Sequence, residues 1–221
     1  MKNALIIGAG GIGKGFAQNL VTRGYRLHIQ YRDTAKLPSI ETEFPGEQYF
    51  QSDLQNKAVL ENAFATLKES GVVPDVIILA AGASKLDNAF TDEEASTAFH
   101  REANYLTKHR VVEATQKIYG SALTGTHIFI ISSHITDADD ADIKNWKEIG
   151  YVTAMREVNT WAENLQRELP DVHIHLLKTL RVETQLLANL RKDVKADSND
   201  TIDQGESPRD YAEKELQKAG L

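Results

Sequence analysis

Three glycines, Gly8, Gly10 and Gly13, stand at G-x-G-x-x-G spacing between an apolar run, Ala4–Ile7, and an amphipathic stretch, Gly13–Arg23. A strand that turns into a helix over such a loop makes a cradle for a pyrophosphate. Gly8 permits the tight turn, Gly10 lets backbone approach the phosphates, and Gly13 lets the helix pack close to the strand. Gly11 and Ile12 fill the first turn, whose free N–H groups and positive dipole end face the anion. A dinucleotide is the ligand such a loop suits. The next strand, Arg26–Tyr31, ends in Arg32-Asp33. An acidic residue at this tip accepts from a ribose 2′-hydroxyl, whereas a guanidinium suits a 2′-phosphate. Arg32 therefore favours NADP over NAD. Asp33 is one position late for the NAD role, and a small register shift restores it. Lys14 adds charge nearby.

A second group of residues lies in the C-terminal half. Tyr151 opens an amphipathic stretch, Tyr151–Leu169, with Met155 four residues on. A free phenol titrates near 10, so proton exchange at neutral pH needs help. A cation at i+4 would share the tyrosine's helical face. At ~4 Å and an effective dielectric of ~20 it would contribute about 4 kcal/mol, or roughly three pKa units. Met155 supplies no charge, and Arg156 is about 100° further round the helix. Lys178 and Arg181, around the end of the last strand, are candidate substitutes. The seven histidines show no metal-ligand spacing, and the chain has no cysteine, so no metal site is expected.

The elements that must position these residues alternate. Apolar, β-branched runs at Ala4–Ile7, Arg26–Tyr31, Gln48–Gln51, Val76–Ala80, Thr126–Ser132 and Val172–Lys178 predict six strands. Helical periodicity falls at Gly13–Arg23, Lys57–Glu69, Glu102–Tyr119 and Tyr151–Leu169. This pattern predicts an α/β fold: a doubly wound parallel sheet with helices on both faces. The acidic stretch Asp137–Ile143 reads as a surface loop, and the polar stretch Arg191–Ser207 as another. Pro208–Ala219 reads as a last helix with Ser207 as its N-cap.

Composition sets outer limits. The 221 residues suit one Rossmann-type domain spanning 1–221. A net charge of −7 leaves no basic footprint for nucleic acid. No apolar run is long enough for a membrane helix or a signal segment, so a cytoplasmic protein is expected.

Taken together these motifs resemble the short-chain dehydrogenase/reductase family along nearly the whole chain. Gly11-Ile12-Gly13, with Leu20 and Gly24, looks like that family's glycine helix, although the loop is one residue shorter. Arg32-Asp33-Thr34-Ala35-Lys36-Leu37 resembles its NADP-type run, and Ser52-Asp53-Leu54 its adenine-contacting segment. Of the strand motif Asn-Asn-Ala-Gly only Ala81-Gly82 remains, which implies a weakened network beside the sheet. The resemblance makes Asn104 the residue whose backbone holds a relay water. It makes Ser133 (or Ser132, if the register slips) the donor to a substrate carbonyl, and Tyr151 the acid or base. It also gives Thr184 a contact with the nicotinamide carboxamide. The family's lysine is replaced by Met155, and the Pro-Gly before Thr184 is missing, leaving one helical stretch, Glu183–Leu190, to close over substrate. Glu102–Tyr119 and Tyr151–Leu169 resemble the helix pair through which members form homodimers or homotetramers, with Trp161, Leu165, Val111 and Val112 as apolar surface. The implied function is NAD(P)-dependent oxidoreduction of an unidentified small carbonyl or alcohol. A non-catalytic cofactor-binding sensor or structural partner is the alternative, and a scaffold without cofactor is a third reading that the intact glycine loop opposes.

Overall fold

The computed structural model describes residues 1–179 and 206–221. Thr184, Arg181, Glu183–Leu190 and the polar stretch up to residue 205 lie outside the described residues.

Six strands form one parallel sheet in the order β3-β2-β1-β4-β5-β6. They are β1 (Asn3–Ile7), β2 (Arg26–Tyr31), β3 (Gln48–Gln51), β4 (Val76–Leu79), β5 (His127–Ser133) and β6 (His173–Thr179). The helices are α1 (Gly11–Thr22), α2 (Leu37–Glu43), α3 (Lys57–Glu69), α4 (Glu93–His100), α5 (Thr107–Tyr119), α6 (Asp140–Asn145), α7 (Ile149–Glu168) and α8 (Pro208–Lys218). The predicted α/β doubly wound sheet is the observed one. Order reverses between β1 and β4, the point at which such sheets open a ligand crevice beyond their C-terminal edge.

Side chains alternate across each strand and supply two cores. Leu5, Ile7, Ile77, Leu79, Ile128 and Ile130 pack under α3, α5 and α7. Ala4, Ile6, Leu27, Ile29, Ile78 and Phe129 pack under α1 and α8. Each fully buried aliphatic side chain of these layers contributes roughly 1.5–3 kcal/mol. The last helix docks on α1 through Gly15, where an added Cβ would lie 2.0 Å from the Pro208 carbonyl oxygen. Ser207 caps α8 by accepting from the Asp210 amide at 3.1 Å, and Arg23 pairs with Glu213 at 2.8 Å.

Three expectations need correction. Val111, Val112 and Leu165 are core residues, so none of them is assembly surface. Of the four, the half-buried Trp161 alone keeps that character, beside the rings of Tyr105 and His109. The stretch Asp137–Ile143 is not a plain loop. It leads into α6, whose Ile143 is buried and anchors the segment. The helix containing Asn104 also starts earlier than its periodicity suggested: α4 runs through a π-turn at Arg101–Leu106 into α5.

His28 lies fully buried on β2, with its Nε2 3.1 Å from Asn3 Oδ1. Burial, helped by the charge of Arg26, pushes its pKa down to about 4. The unfolded chain therefore takes up a proton first as pH falls, and stability that is intact above 6.5 is lost between 6.5 and 4. Denaturant unfolding at pH 7 and pH 4.5 should show wild type losing about 2–3 kcal/mol more than a His28→Gln variant. Equal losses would remove His28 as the source.

Candidate active site and cofactor cradle

β1 runs into Gly8, which has φ +93°. A Cβ there would sit 2.5 Å from the Ala81 amide nitrogen, because Ala80 and Ala81 both donate to the Ile7 carbonyl. At Gly13 a Cβ would lie 1.9 Å from the Gly8 carbonyl oxygen, so α1 sits directly on the loop. Gly10 precedes α1 and has open space where its Cβ would be. The first turn, Gly11-Ile12-Gly13, holds no acidic residue, and no side chain caps it. A buried helix start without partners is costly, so this exposed one is a ready anion site. The loop thus fits a dinucleotide pyrophosphate by geometry: close packing behind it and space in front.

The flanks of the cradle are distributed around it. Arg32 is exposed at the tip of β2 and makes no ion pair with a described residue. Asp33 turns back to accept from the Ala35 amide at 3.0 Å. Lys14, expected to add charge nearby, instead pairs with Glu43 on α2. Asp53 follows β3, where the Ser52 carbonyl accepts from Gln30 at 2.6 Å and fixes the strand end.

Ala81 and Gly82 are held by α5 and the π-turn before it. The Asn104 side chain accepts from the Ala83 amide at 3.1 Å and donates to its carbonyl at 2.7 Å. Lys108 Nζ donates to the Ala81 carbonyl at 2.8 Å and to the Asn104 carbonyl at 3.1 Å. The network that the missing asparagines implied to be weak is therefore rebuilt by Asn104 and a buried lysine. Burial lowers the Lys108 ammonium to about 7. A π-turn inside a helix is itself a frequent mark of a functional segment.

The chemistry end assembles around the start of α7. No side chain of its own caps this helix. Asp87, from the segment after β4, accepts from the amides of Ile149 at 2.7 Å and Gly150 at 3.2 Å. Ser96 on α4 donates to the same carboxylate at 2.6 Å. Gly150 permits this crossing, since a Cβ there would lie 2.4 Å from Ser96 Oγ. His100 stands edge-on to the Tyr151 ring, centroids 5.8 Å apart. Its Nε2 accepts from the Lys85 amide at 3.1 Å, which leaves Nδ1 to donate to the Ser96 carbonyl at 2.8 Å. Both ring nitrogens are thus spent, and burial lowers its pKa.

The Ser133 hydroxyl is close enough to the Tyr151 phenol to draw its pKa down. Ser132, the alternative, is instead tied to Asn159 on the core side of α7. Burial, and secondarily the charge of Glu148, push the Tyr151 phenol up to about 12 despite the nearby Ser133 hydroxyl. Met155 is buried among Val158, Ala162 and the β5 side chains. Arg156 points away, to the carbonyls of Thr136 and Ala138 and to Asp140. Lys178 pairs with Asp137 at 2.8 Å and lends no charge to the phenol. The structure thus brings Tyr151 and Ser133 together, and sets Asn104 one helix away beside Ala83. Asp87, Ser96, His100, Glu148 and Lys108 went unread in the sequence. Gly150 directly before the tyrosine, a residue type disfavoured inside helices, was the available signal.

The model for short chain dehydrogenases matches residues 2–195. The chain belongs to the short-chain dehydrogenase family. Among curated proteins none matches it. Solved structures share its fold. One from Streptomyces avermitilis, itself a short-chain dehydrogenase, has TM-score 0.79 and 16% identity, over 100% of this chain and 84% of that one. A serine dehydrogenase complexed with NADP+ has TM-score 0.81 and 19% identity, over 99% and 89%. An alcohol dehydrogenase from the archaeon Thermococcus sibiricus complexed with 5-hydroxy-NADP has TM-score 0.78 and 22% identity, over 100% and 91%.

Proposed function

We propose that the protein is an NADP-dependent oxidoreductase that interconverts a small carbonyl compound and its alcohol. The meeting of Tyr151 with Ser133 at the sheet edge onto which the glycine loop opens carries this reading. When bound, the cofactor supplies a hydride at its nicotinamide. Gly8, Gly10, Gly11, Ile12 and Gly13 hold the pyrophosphate, and Arg32 meets the 2′-phosphate. Asp53 lies toward the adenine, and Ala81 and Gly82 line the ribose. Thr184 is assigned to the carboxamide on the family resemblance. Ser133 and Tyr151 both hydrogen-bond the substrate oxygen, and Tyr151 gives or takes its proton. Asn104 steadies the turn at Ala83. The two named neighbours complexed with NADP+ and 5-hydroxy-NADP support the cofactor choice.

One observation favours the alternative, a cofactor-binding protein without turnover. Met155 packs in the core where the family lysine would stand, and the phenol lies far above neutrality.

Cofactor titration by fluorescence should show NADPH binding more tightly than NADH, with Arg32→Ala weakening NADPH by about tenfold or more. Equal affinities, unchanged in the variant, would count against the phosphate role, and no binding of either would end the oxidoreductase reading.

Replacing Met155 with lysine should have two opposed effects. Burying an ammonium costs stability, roughly 2–3 kcal/mol in denaturant unfolding. Turnover on a carbonyl panel should nevertheless rise by up to about 10²-fold as the phenol's pKa falls. A folded, NADPH-binding Met155→Lys variant without any gain would mark the site as defunct.

We also propose that two or four copies assemble through α5 and α7, using the ring group of Tyr105, His109 and Trp161. Light scattering at micromolar concentration should give a dimer or tetramer mass; a monomer mass refutes the assembly.

A further inference from the structure

Lys108 is a buried basic side chain to which the family pattern gives no role. A lysine in such a place ordinarily pairs with a carboxylate, because an unpaired buried charge is strongly unfavourable. Among the described residues no carboxylate pairs with it. Its Nζ donates instead to two backbone carbonyls, those of Ala81 at 2.8 Å and Asn104 at 3.1 Å. The contacts of these two residues place the lysine directly behind the cofactor cradle. Ala81 packs on the glycine turn, where a Cβ at Gly8 would lie 2.5 Å from its amide nitrogen. Gly82 lies on the lysine itself, since a Cβ there would sit 3.6 Å from Nζ. One residue, Ala81, thus separates a buried amine from the loop that receives the pyrophosphate. The π-turn Arg101–Leu106 prepares this place. It widens the helix just before Lys108, and the Asn104 side chain goes to Ala83 while the Asn104 carbonyl takes the lysine.

We infer that Lys108 is a positioning residue for the cofactor: it is a buried counter-ion that balances the dinucleotide's negative charge from behind Ala81 and holds the ribose floor in place. The inference rests on the cofactor assignment above. The dinucleotide brings the anionic partner that the described residues withhold. Water is excluded between the two, so the charges are little screened. An ammonium also grips the Ala81 carbonyl more strongly than an amine does, so the floor is firmest when the cofactor is bound.

The charged groups of the neighbouring elements are engaged elsewhere. On the loop after β4, Asp87 serves the start of α7 and Lys85 lies over the Phe99 ring. On the π-turn and α5, Arg101 pairs with Glu157, Arg110 pairs with Glu102, and His109 lies against Glu113. Lys57 of α3 reaches the same Glu113, and Asp53 after β3 acts on Arg110. From α7, Met155 offers no charge, and Glu148 faces Asp87 and Tyr151. Burial alone lowers Lys108, to about 7. Without cofactor it is therefore only partly charged at neutrality, and each pH unit by which the bound anion raises it is tenfold in affinity.

The test reads binding and needs no turnover. From pH 7 to 8.5, above the titration of the 2′-phosphate, the wild-type Kd for NADPH should rise by about tenfold. Lys108→Gln keeps two N–H donors for the carbonyls and removes the charge. It should bind NADPH about tenfold more weakly at pH 7, with a Kd that changes less than about twofold over the same range. Wild-type affinity in Lys108→Gln at pH 7 would make the lysine a plain structural donor and overturn the inference, as would a wild-type pH slope in that variant. If the variant folds poorly, wild type labelled with ε-13C-lysine decides by NMR. One signal should titrate near 7 without cofactor and move up by about 1.5 pH units or more with NADPH. Absence of such a signal, or one that NADPH leaves in place, overturns the inference. A protein that shows these shifts but reduces no carbonyl overturns the oxidoreductase reading and upholds the counter-ion; failure to bind NADPH or NADH overturns both.

Discussion

Asp87 reaches the first turn of α7 from 62 residues away in sequence, and the chemistry end of the fold is arranged around that carboxylate. A helix start leaves several amides without partners, and a charged acceptor there is favoured both by the direct bonds and by the dipole. Asp87 takes two of these amides and the Ser96 hydroxyl besides. It thereby fixes the angle at which α4 crosses α7, and so the place of Tyr151 against His100. Gly150 is the accommodation that makes the crossing tight. Without that bond two first-turn amides of α7 would stand unpartnered.

The two ends of one sheet edge carry opposite electrostatic characters. At the glycine cradle the dipole of α1 is uncompensated, with no acidic residue in its first turn, and Arg32 stands exposed beyond it. At α7 the equivalent dipole is answered by Asp87, and a second carboxyl follows. Anions are drawn to one end; neutral groups are held at the other. Lys108 lies between, where two carbonyls replace water around its ammonium. Burial drives it toward the neutral amine, so it ties the loop after β4 to α5 while adding little field of its own.

The legible parts of this sequence are those governed by short-range physics. β2 and β3 are bounded where the alternation of apolar residues stops, and α3 where Asn56 caps it. The glycine spacing is legible because each glycine answers a local steric demand. Contacts made across tens of residues were not readable. α4 is short and mostly polar on one side, and its Ser96 matters only once Asp87 arrives. Val111, Val112 and Leu165 read as a possible docking face because periodicity shows that a helix has an apolar side, not what covers it. They face the sheet, and the outward surface is left to the half-buried Trp161 group. Lys108 has no sequence signature, since a lysine on a helix is ordinarily solvated.

Met155 ties these threads together. A methionine lets the first two turns of α7 close onto β5 as a core helix does, with Val158 and Ala162 continuing the same apolar stripe. A lysine there would have supplied a charge to stabilise a phenolate and would have made Tyr151 equally ready to take a proton or give one. With that charge absent, the phenol is positioned by packing against His100, by Ser133 and by the Asp87-capped helix, and its neighbours are carboxyl groups. An environment that raises a tyrosine to about 12 keeps it protonated throughout the neutral range. Such a group enters the neutral range with its proton in place, though as a weaker acid than a free phenol. In the proposed reaction that protonated state suits a donor to a carbonyl oxygen, a state set by burial and like charge rather than by any residue the family motif contains.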